Sequence, residues 1–157
     1  MVELTEVPYI HVTSKIMKPI HLDCFFEEFD TPAELPEDEQ ELLISAWDAS
    51  NYAYTPYSDF HVGCAIRLTT GDVVIGSNQE NIAFPSTMCA ERSALFATSA
   101  QGRTALITKM AIRVHYLKQL YDTPITPCGA CRQVMADYEK RASREIVVFY
   151  TKACIII

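Results

Sequence analysis

Three cysteines in two short segments constrain this chain more than any other feature. Cys89 is followed two residues later by Glu91, and a Cys-x-x-Cys pair, Cys128 and Cys131, comes directly after Pro127. Three cysteine thiolates can bind Zn²⁺ and leave the fourth tetrahedral position free for water, which is typical of a catalytic zinc site. The spacing therefore predicts a zinc centre whose three protein ligands are these cysteines.

Glu91 is predicted to carry protons at this centre. It lies two residues from Cys89, near the metal but turned toward a different face, and an open site does not need it as a fourth ligand. A carboxyl group in that place can take a proton from water and pass it to a leaving group. Burial in a dry pocket would raise the pKa of such a carboxyl group.

Two arginines could offset the negative charge of the predicted zinc centre. Three thiolates around Zn²⁺ leave a net negative charge, which hydrogen bonds and cations near the sulfurs can offset. Arg92 directly follows the predicted proton carrier and Arg132 directly follows the last cysteine, so one or both are predicted to bond a ligand sulfur. Cys89 and the Cys-x-x-Cys pair also fall at the predicted starts of two helices, where free backbone N–H groups stabilise thiolates.

A closed zinc site that only stabilises the fold is the alternative at this point, with a histidine or a fourth cysteine as its remaining ligand. A Cys-x-x-Cys pair alone would favour that structural role. The combination of Cys-Ala-Glu with a later Pro-Cys-x-x-Cys, both at predicted helix starts, favours the catalytic interpretation.

The formal net charge of −7 is concentrated near the N-terminus. Residues 23–41 contain nine acidic residues and no lysine or arginine, whereas from residue 42 onward eleven basic residues stand against nine acidic ones. The chain has no dense basic stripe, so we expect no nucleic-acid partner. Its apolar runs are too short to span a membrane and its N-terminus is acidic rather than signal-like, so we expect a cytoplasmic protein without a membrane partner.

Strands alternate with helices along the chain, which predicts an α/β layered domain. The length of 157 residues fits one domain. We assign residues 1–36 to an acidic N-terminal extension and residues 37–157 to the zinc-dependent domain. The predicted helices begin near residue 37 and cover 89–100 and 128–140, and the predicted strands cover 9–13, 60–68, 73–75, 107–115 and 145–150, with another beginning at 152.

Four motifs, in order over about two-thirds of the chain, resemble those of the small cytidine deaminases with an all-cysteine zinc site. They are Tyr54-Thr55-Pro56-Tyr57-Ser58-Asp59-Phe60-His61-Val62-Gly63, Gly76-Ser77-Asn78-Gln79-Glu80-Asn81, Cys89-Ala90-Glu91-Arg92 and Pro127-Cys128-Gly129-Ala130-Cys131-Arg132-Gln133. The resemblance implies a three-layer α/β/α fold with a central mixed sheet. It implies zinc-dependent hydrolysis of cytidine and 2′-deoxycytidine to uridine and 2′-deoxyuridine with release of ammonia, in pyrimidine salvage. It also implies a homotetramer that acts on a small-molecule nucleoside.

The resemblance further implies roles for residues outside the zinc centre. Phe60 would stack on the pyrimidine ring, and Asn78 and Glu80 would hydrogen-bond the 3′-hydroxyl group of the ribose. Ala90 would offer backbone groups to the amide edge of the base. Considered without the family, Phe60 is equally compatible with core packing, and Asn78 and Glu80 are a polar pair in a loop after a strand.

Three features differ from the family pattern. The family continues through another strand and a terminal helix, so we expect a domain shortened at its C-terminus, where this sequence ends at Ile157. The acidic extension, residues 1–36, is additional to the minimal family chain. Cys64 replaces an alanine that is usual in the family.

Two other functions stay open. The same fold could deaminate another cytosine-containing nucleoside, such as a nucleoside antibiotic, although Asn78 and Glu80 favour a free ribose. A non-catalytic, zinc-stabilised interaction module is an alternative of a different class. Nucleotide substrates fit less well, because the sequence has no basic cluster to bind a phosphate group.

Overall fold

A five-stranded mixed β-sheet forms the centre of the structure, a computed structural model that describes residues 27–116, 119–120 and 125–150. Its helices and strands are, in chain order, α1 (Glu37–Ser50), β1 (Phe60–Leu68), β2 (Val73–Ser77), α2 (Ala90–Ala100), β3 (Ile107–Tyr116), β4 (Gln119–Leu120), α3 (Gly129–Ala142) and β5 (Val147–Phe149). The strand order is β2-β1-β3-β4, and β5 pairs with the first half of β3. The β3–β5 pair is parallel and the other pairs are antiparallel.

Helices cover both faces of the sheet, because successive residues of β1 and β3 point to opposite sides. Ile66 and Met110 pack with α2 and α3 in one buried cluster. Ala65 and Ala111 belong to a second buried cluster on the other side, where they pack with Leu42 of α1. These three layers confirm the predicted α/β/α fold with a central mixed sheet.

The helices begin close to where the sequence predicts them. Helix α1 starts directly after Pro36, α2 after Cys89 and α3 after Cys128. The last described strand, β5, is shorter than predicted, and the two-residue strand β4 was not predicted because so short a pair carries no periodicity. The strands predicted over 9–13 and from 152 lie outside the described residues. Within the described residues, no helix combines the length and the apolar character needed to cross a membrane.

Ion pairs anchor the first turn of α1 to the sheet. Lys109 of β3 binds the Asp38 carboxylate at 3.0 Å and the Glu39 carboxylate at 2.6 Å. Arg67 of β1 donates to the Asp38 carbonyl oxygen at 3.0 Å and lies 3.7 Å from the Glu41 carboxylate. The acidic residues at the start of α1 therefore hold the helix to two strands, besides complementing its dipole.

Two glycines let helices approach the sheet closely. A Cβ atom at Gly63 would lie 1.9 Å from the Ala46 carbonyl oxygen in α1, and one at Gly76 would lie 2.4 Å from the Ala94 backbone nitrogen in α2. Any side chain at either position would push the helix away from the sheet. Gly76 thereby keeps the first turn of α2, with Cys89 in front of it, against the strands.

Gly63→Ala should destabilise the protein, because α1 must move away from β1 to admit the methyl group. We expect a loss of about 3 kcal/mol in the free energy of unfolding, the upper end of the usual range for overpacked cores. Gly129→Ala is the matched control, since a Cβ atom at this first residue of α3 meets no atom within 4 Å and alanine favours a helix. Urea unfolding measures both variants, and equal midpoints for Gly63→Ala and the wild type would contradict the packing argument.

Candidate active site

The three predicted zinc ligands come together in the structure. Cys89 immediately precedes α2, Cys128 immediately precedes α3, and Cys131 lies in the first turn of α3. Their sulfur atoms all lie within 4.8 Å of one another, and the Sγ atoms of Cys89 and Cys128 are 4.0 Å apart. Among the described residues, this is the only group of three or more histidines, cysteines or acids with such spacing.

The separation of the sulfurs fits Zn²⁺. A tetrahedral ion with Zn–S bonds of about 2.3 Å places its sulfur ligands about 3.8 Å apart. The distance between the Cys89 and Cys128 sulfurs, 4.0 Å, is close to that value. Within residues 27–116 and 125–150 no fourth side chain joins the group, and the buried Cys64 is not part of it. Three cysteine thiolates at this spacing are a donor set that suits Zn²⁺.

Hydrogen bonds stabilise negative charge on the Cys89 sulfur. The pKa of Cys89 is lowered to about 5, mainly by a hydrogen bond with Cys131, and the same contact raises the pKa of Cys131. Arg92 donates from Nη2 to the Cys89 Sγ atom over 3.6 Å and lowers the pKa of Cys89 further. Arg92 therefore makes the contact with a cluster sulfur that the sequence predicts for it.

Arg132 makes no corresponding contact. Its side chain is exposed and lines a groove next to Met135 and Ile146, and among the described residues no hydrogen bond joins it to a sulfur. Successive residues of an α-helix point about 100° apart, so the residue after Cys131 turns away from the cluster that Cys131 faces. Of the two arginines, Arg92 alone offsets charge by direct contact with a sulfur.

Glu91 lies in the first turn of α2, beside the cluster and shielded from water. Its exposed fraction is 6%. Burial raises the pKa of this carboxyl group above its ordinary value, and the charge of Cys89 raises the pKa further. A carboxyl group with a raised pKa exchanges protons nearer to neutral pH than an ordinary glutamate does. The chemistry predicted for Glu91 therefore has the environment that it needs.

Two cysteines of the cluster, Cys89 and Cys128, border a cavity of about 230 Å³ together with Glu91. Of the residues for which the family resemblance implies substrate contacts, Phe60, Asn78 and Ala90 line this cavity, and Glu80 does not. The Phe60 ring is half-buried, with its centroid 6.3 Å from that of Tyr116. A small cavity with an aromatic wall, a buried acid and a soft-metal donor set can hold and hydrolyse a small heterocycle.

Eight residues to which the sequence patterns assign no substrate contact also line the cavity: Val62, Thr87, Met88, Ile112, Val114, Ile125, Thr126 and Pro127. Strand alternation could have identified Val62, Ile112 and Val114, because β1 and β3 pair in a register that puts them on the same face as Phe60. Thr87 and Ile125 lie in irregular segments, where no periodicity shows which side chains face the cavity.

The side-chain amide of Asn78 holds the start of β1. Its Oδ1 accepts a hydrogen bond from the Val62 N–H group at 2.8 Å, and its Nδ2 donates to the Phe60 carbonyl oxygen at 2.9 Å. Asn78 is 8% exposed, so these bonds are largely protected from competition with water. The amide thereby fixes the backbone that carries the aromatic wall of the cavity.

The Glu80 carboxylate holds the turn in front of β1. It accepts hydrogen bonds from the Tyr57 N–H group at 3.1 Å and the Ser58 hydroxyl group at 2.5 Å. The Ser58 oxygen in turn accepts a hydrogen bond from the Phe60 N–H group at 3.1 Å. The Ser58 hydroxyl group is the main cause of a lowered pKa of Glu80. Glu80 and Asn78 thus fix the backbone on the two sides of Phe60.

Comparison with known proteins identifies the family of this chain. Residues 36–149 match the sequence profile described as the cytidine and deoxycytidylate deaminase zinc-binding region. The chain belongs to this family. It is 45% identical over 102 residues to a cytidine deaminase of Halalkalibacterium halodurans, and the match covers 64% of this chain and 71% of the relative.

Solved structures in the same family have the same fold. A crystal structure of cytidine deaminase from Burkholderia pseudomallei matches with a TM-score of 0.62 and 37% identity, over 73% of this chain and 87% of that chain. A crystal structure of cytidine deaminase from Mycobacterium tuberculosis matches with a TM-score of 0.59 and 30% identity, over 72% of this chain and 85% of that chain. The family explains why the four sequence motifs meet at one cavity.

Ser58→Ala should raise the pKa of Glu80 toward the ordinary value for glutamate, because the carboxylate loses the hydroxyl group that does most to lower it. Ser58→Thr keeps a hydroxyl group and should keep the lowered pKa. NMR titration of the carboxyl groups measures both variants. Asp72 of the β1–β2 hairpin, whose pKa is lowered by Thr70 and by Arg103 after α2, is an internal reference whose pKa should not change. An unchanged pKa of Glu80 in Ser58→Ala would contradict the assigned hydrogen bond between Ser58 and Glu80.

Proposed function

We propose that this protein is a zinc-dependent hydrolase that deaminates cytidine and 2′-deoxycytidine to uridine and 2′-deoxyuridine and releases ammonia. The observation that carries the proposal is a buried Glu91 carboxyl group beside three clustered cysteine sulfurs at one cavity. Membership of the cytidine and deoxycytidylate deaminase family supports the substrate class. The proposal includes a role in pyrimidine salvage.

Cys89, Cys128 and Cys131 would hold Zn²⁺. When bound, the ion would acidify water and so supply the nucleophile for hydrolysis. Arg92 and the N–H groups at the starts of α2 and α3 would offset part of the negative charge that three thiolates bring. The lack of a fourth ligand among the described residues disfavours a zinc module that only stabilises a fold.

Glu91 would move the protons of the reaction. Its raised pKa favours a protonated carboxyl group, which can donate to the ring nitrogen beside the carbon that bears the amino group. The resulting carboxylate would take a proton from the attacking water and deliver it to the amino group, which leaves as ammonia. The proton of the newly added hydroxyl group would then return to Glu91 as the carbonyl group of uridine forms. Because the carboxyl group is shielded from bulk water, these protons pass between Glu91 and the substrate.

Phe60, Asn78 and Ala90 would bind the nucleoside. The Phe60 ring offers an aromatic face to the pyrimidine, and Ala90 offers backbone groups at the start of α2. Beyond its two bonds to β1, the Asn78 amide retains one N–H donor and one oxygen lone pair for the ribose 3′-hydroxyl group. Direct contact between Glu80 and the ribose stays a prediction, since in this structure its carboxylate holds the turn before β1.

The active form is proposed to be a homotetramer. Large apolar side chains are exposed on the loops that precede β1 and follow β2: Tyr52 is 71% exposed, Phe84 64% and Ile82 85%. The two loops meet where the ring centroids of Tyr57 and Phe84 lie 5.5 Å apart, and exposed apolar side chains that lie together favour burial against another surface. A neighbouring subunit placed there would cover loops that belong to the same cavity-forming motifs.

Glu91→Gln should keep zinc and lose most of its deaminase activity, because glutamine has the same size but cannot take up and release a proton. Loss of general acid–base catalysis typically lowers kcat by about 10²–10⁴-fold. Glu145→Gln makes the same chemical change at an exposed position and should leave activity unchanged. The assay follows the fall in ultraviolet absorbance as cytidine is consumed, with zinc analysis of each variant. A fully active Glu91→Gln protein would refute the proton-transfer role.

Cys128→Ala should lose both zinc and stability. Only two of the three proposed sulfur ligands remain, so zinc binds more weakly and contributes less to the free energy of folding. Cys64→Ala is the control, as it removes a buried thiol that lies outside the cluster and should retain zinc. Elemental analysis and thermal unfolding measure both properties. A stoichiometric zinc content in Cys128→Ala would show that Cys128 is not a ligand.

A further inference from the structure

Three cationic side chains extend from the sheet on the side that α1 covers. Arg67 and Lys109 bind the acidic first turn of α1, as described above. Arg113 lies four residues beyond Lys109 on β3 and therefore on the same side of the strand. In the described part of the chain, Arg113 is the only one of these three cations without a carboxylate partner.

The guanidinium group of Arg113 is partly buried without an acceptor. Its central carbon lies 5.8 Å from the centroid of the Trp47 ring. Its Nε atom is shielded from solvent, and no hydrogen-bond acceptor for the side chain occurs among residues 27–116 and 125–150. Burial lowers the pKa of Arg113. A desolvated charge without a partner disfavours folding, so a bound anion would supply an interaction that these residues do not.

Arg113 borders a cavity of about 410 Å³ between α1 and the sheet. Six described residues line it: Pro32, Gln40, Leu43, Ile44, Trp47 and Arg113. Most of the walls are apolar, and Arg113 is the one charged residue among these six. A concave, mainly apolar site of this volume with few polar groups is typical of sites for small molecules.

This cavity is separate from the candidate active site. Ile112 and Val114 line the cavity beside Glu91, whereas Arg113, between them in sequence, lines the cavity under α1. Alternate residues of a strand point to opposite sides of a sheet, so the two cavities lie on opposite faces of β3. A ligand under α1 would leave the space in front of Glu91 free.

We propose that the cavity under α1 binds a small organic carboxylate with a flat apolar body. The Arg113 guanidinium group would donate two N–H groups to the two carboxylate oxygens. The body of the ligand would contact the Trp47 indole ring and the Ile44 side chain. With a single cation among the six lining residues, the site suits one negative charge better than the two of a phosphate group.

Benzoate is the probe for this site, and benzamide, of the same shape but uncharged, is its control. Trp47 is the only tryptophan of the chain, so its fluorescence reports binding under α1. At constant ionic strength, benzoate should change the emission of Trp47 in a saturable way and raise the midpoint of thermal unfolding. Benzamide should bind with an affinity at least about tenfold lower than that of benzoate, because it lacks the charge-assisted hydrogen bonds. Equal affinities, or no saturable response to benzoate, would overturn the proposal.

Variants of Arg113 test whether its guanidinium group binds the carboxylate of benzoate. Arg113→Gln should abolish the preference for benzoate, and Arg113→Lys should keep the preference with weaker binding, because lysine retains the charge without the planar fork. Arg103→Gln removes a cation that pairs with Asp72 at the β1–β2 hairpin and should bind benzoate like the wild type. Benzoate binding by Arg113→Gln at wild-type affinity would overturn the assignment. The probe comparison in the wild type depends neither on the folding of a variant nor on deaminase activity.

Discussion

The meeting of two helix starts at one group of sulfurs is the constraint on which the rest of this structure depends. Cys89 precedes α2 and Cys128 precedes α3, and both helices lie on the same face of the sheet. Gly76 lets α2 approach β2 closely enough for this arrangement. Cys131 is a fully buried member of the main core cluster and Cys89 packs against it, so two of the proposed zinc ligands are also part of the packing that stabilises the domain.

The first turn of α2 meets two opposite electrostatic demands. The proposed zinc ligand Cys89 needs a negative sulfur, and its hydrogen bonds with Cys131 and Arg92 lower its pKa. Glu91, two residues later, is the proposed proton carrier, and burial together with the charge of Cys89 raises its pKa. The start of α2 places the two groups in different surroundings. Cys89 is half-exposed just before the helix, whereas the Glu91 side chain is buried. A spacing of two residues is therefore part of the chemistry.

Local patterns in the sequence predicted the helix starts and the extents of β1 and β3, and two short motifs, Cys-Ala-Glu and Pro-Cys-x-x-Cys, predicted the sulfur cluster. They did not predict that the Asn78 amide and the Glu80 carboxylate hold the backbone around Phe60, since those bonds join segments that only the folded sheet brings together. The positions of Arg92 and Arg132 in the sequence predicted that one or both would bond a sulfur, without distinguishing between the two. Their difference depends on the direction in which each helix presents its side chains to the cluster.

The absence of a carboxylate partner for Arg113 among the described residues is also beyond the reach of local patterns. Lys109 and Arg113 look alike as basic residues of one strand, and only the course of α1 above them decides which one meets acids. The helix brings its acidic first turn to Lys109 and its apolar later turns, including Trp47, to Arg113. Sequence identifies the charges, whereas their partners follow from tertiary packing.

Strand β3 alone separates two chambers, the cavity beside Glu91 and the cavity under α1, because its successive residues line one and then the other. Its ladder with β1 runs without interruption from the pair of Phe60 and Tyr116 to that of Arg67 and Lys109. A slip of the ladder by one position would exchange the two linings, carrying the guanidinium group of residue 113 into the chamber of Glu91 and turning Ile112 toward α1. A chain with that slip would lose both linings in a single step, so the register that forms one cavity also forms the other.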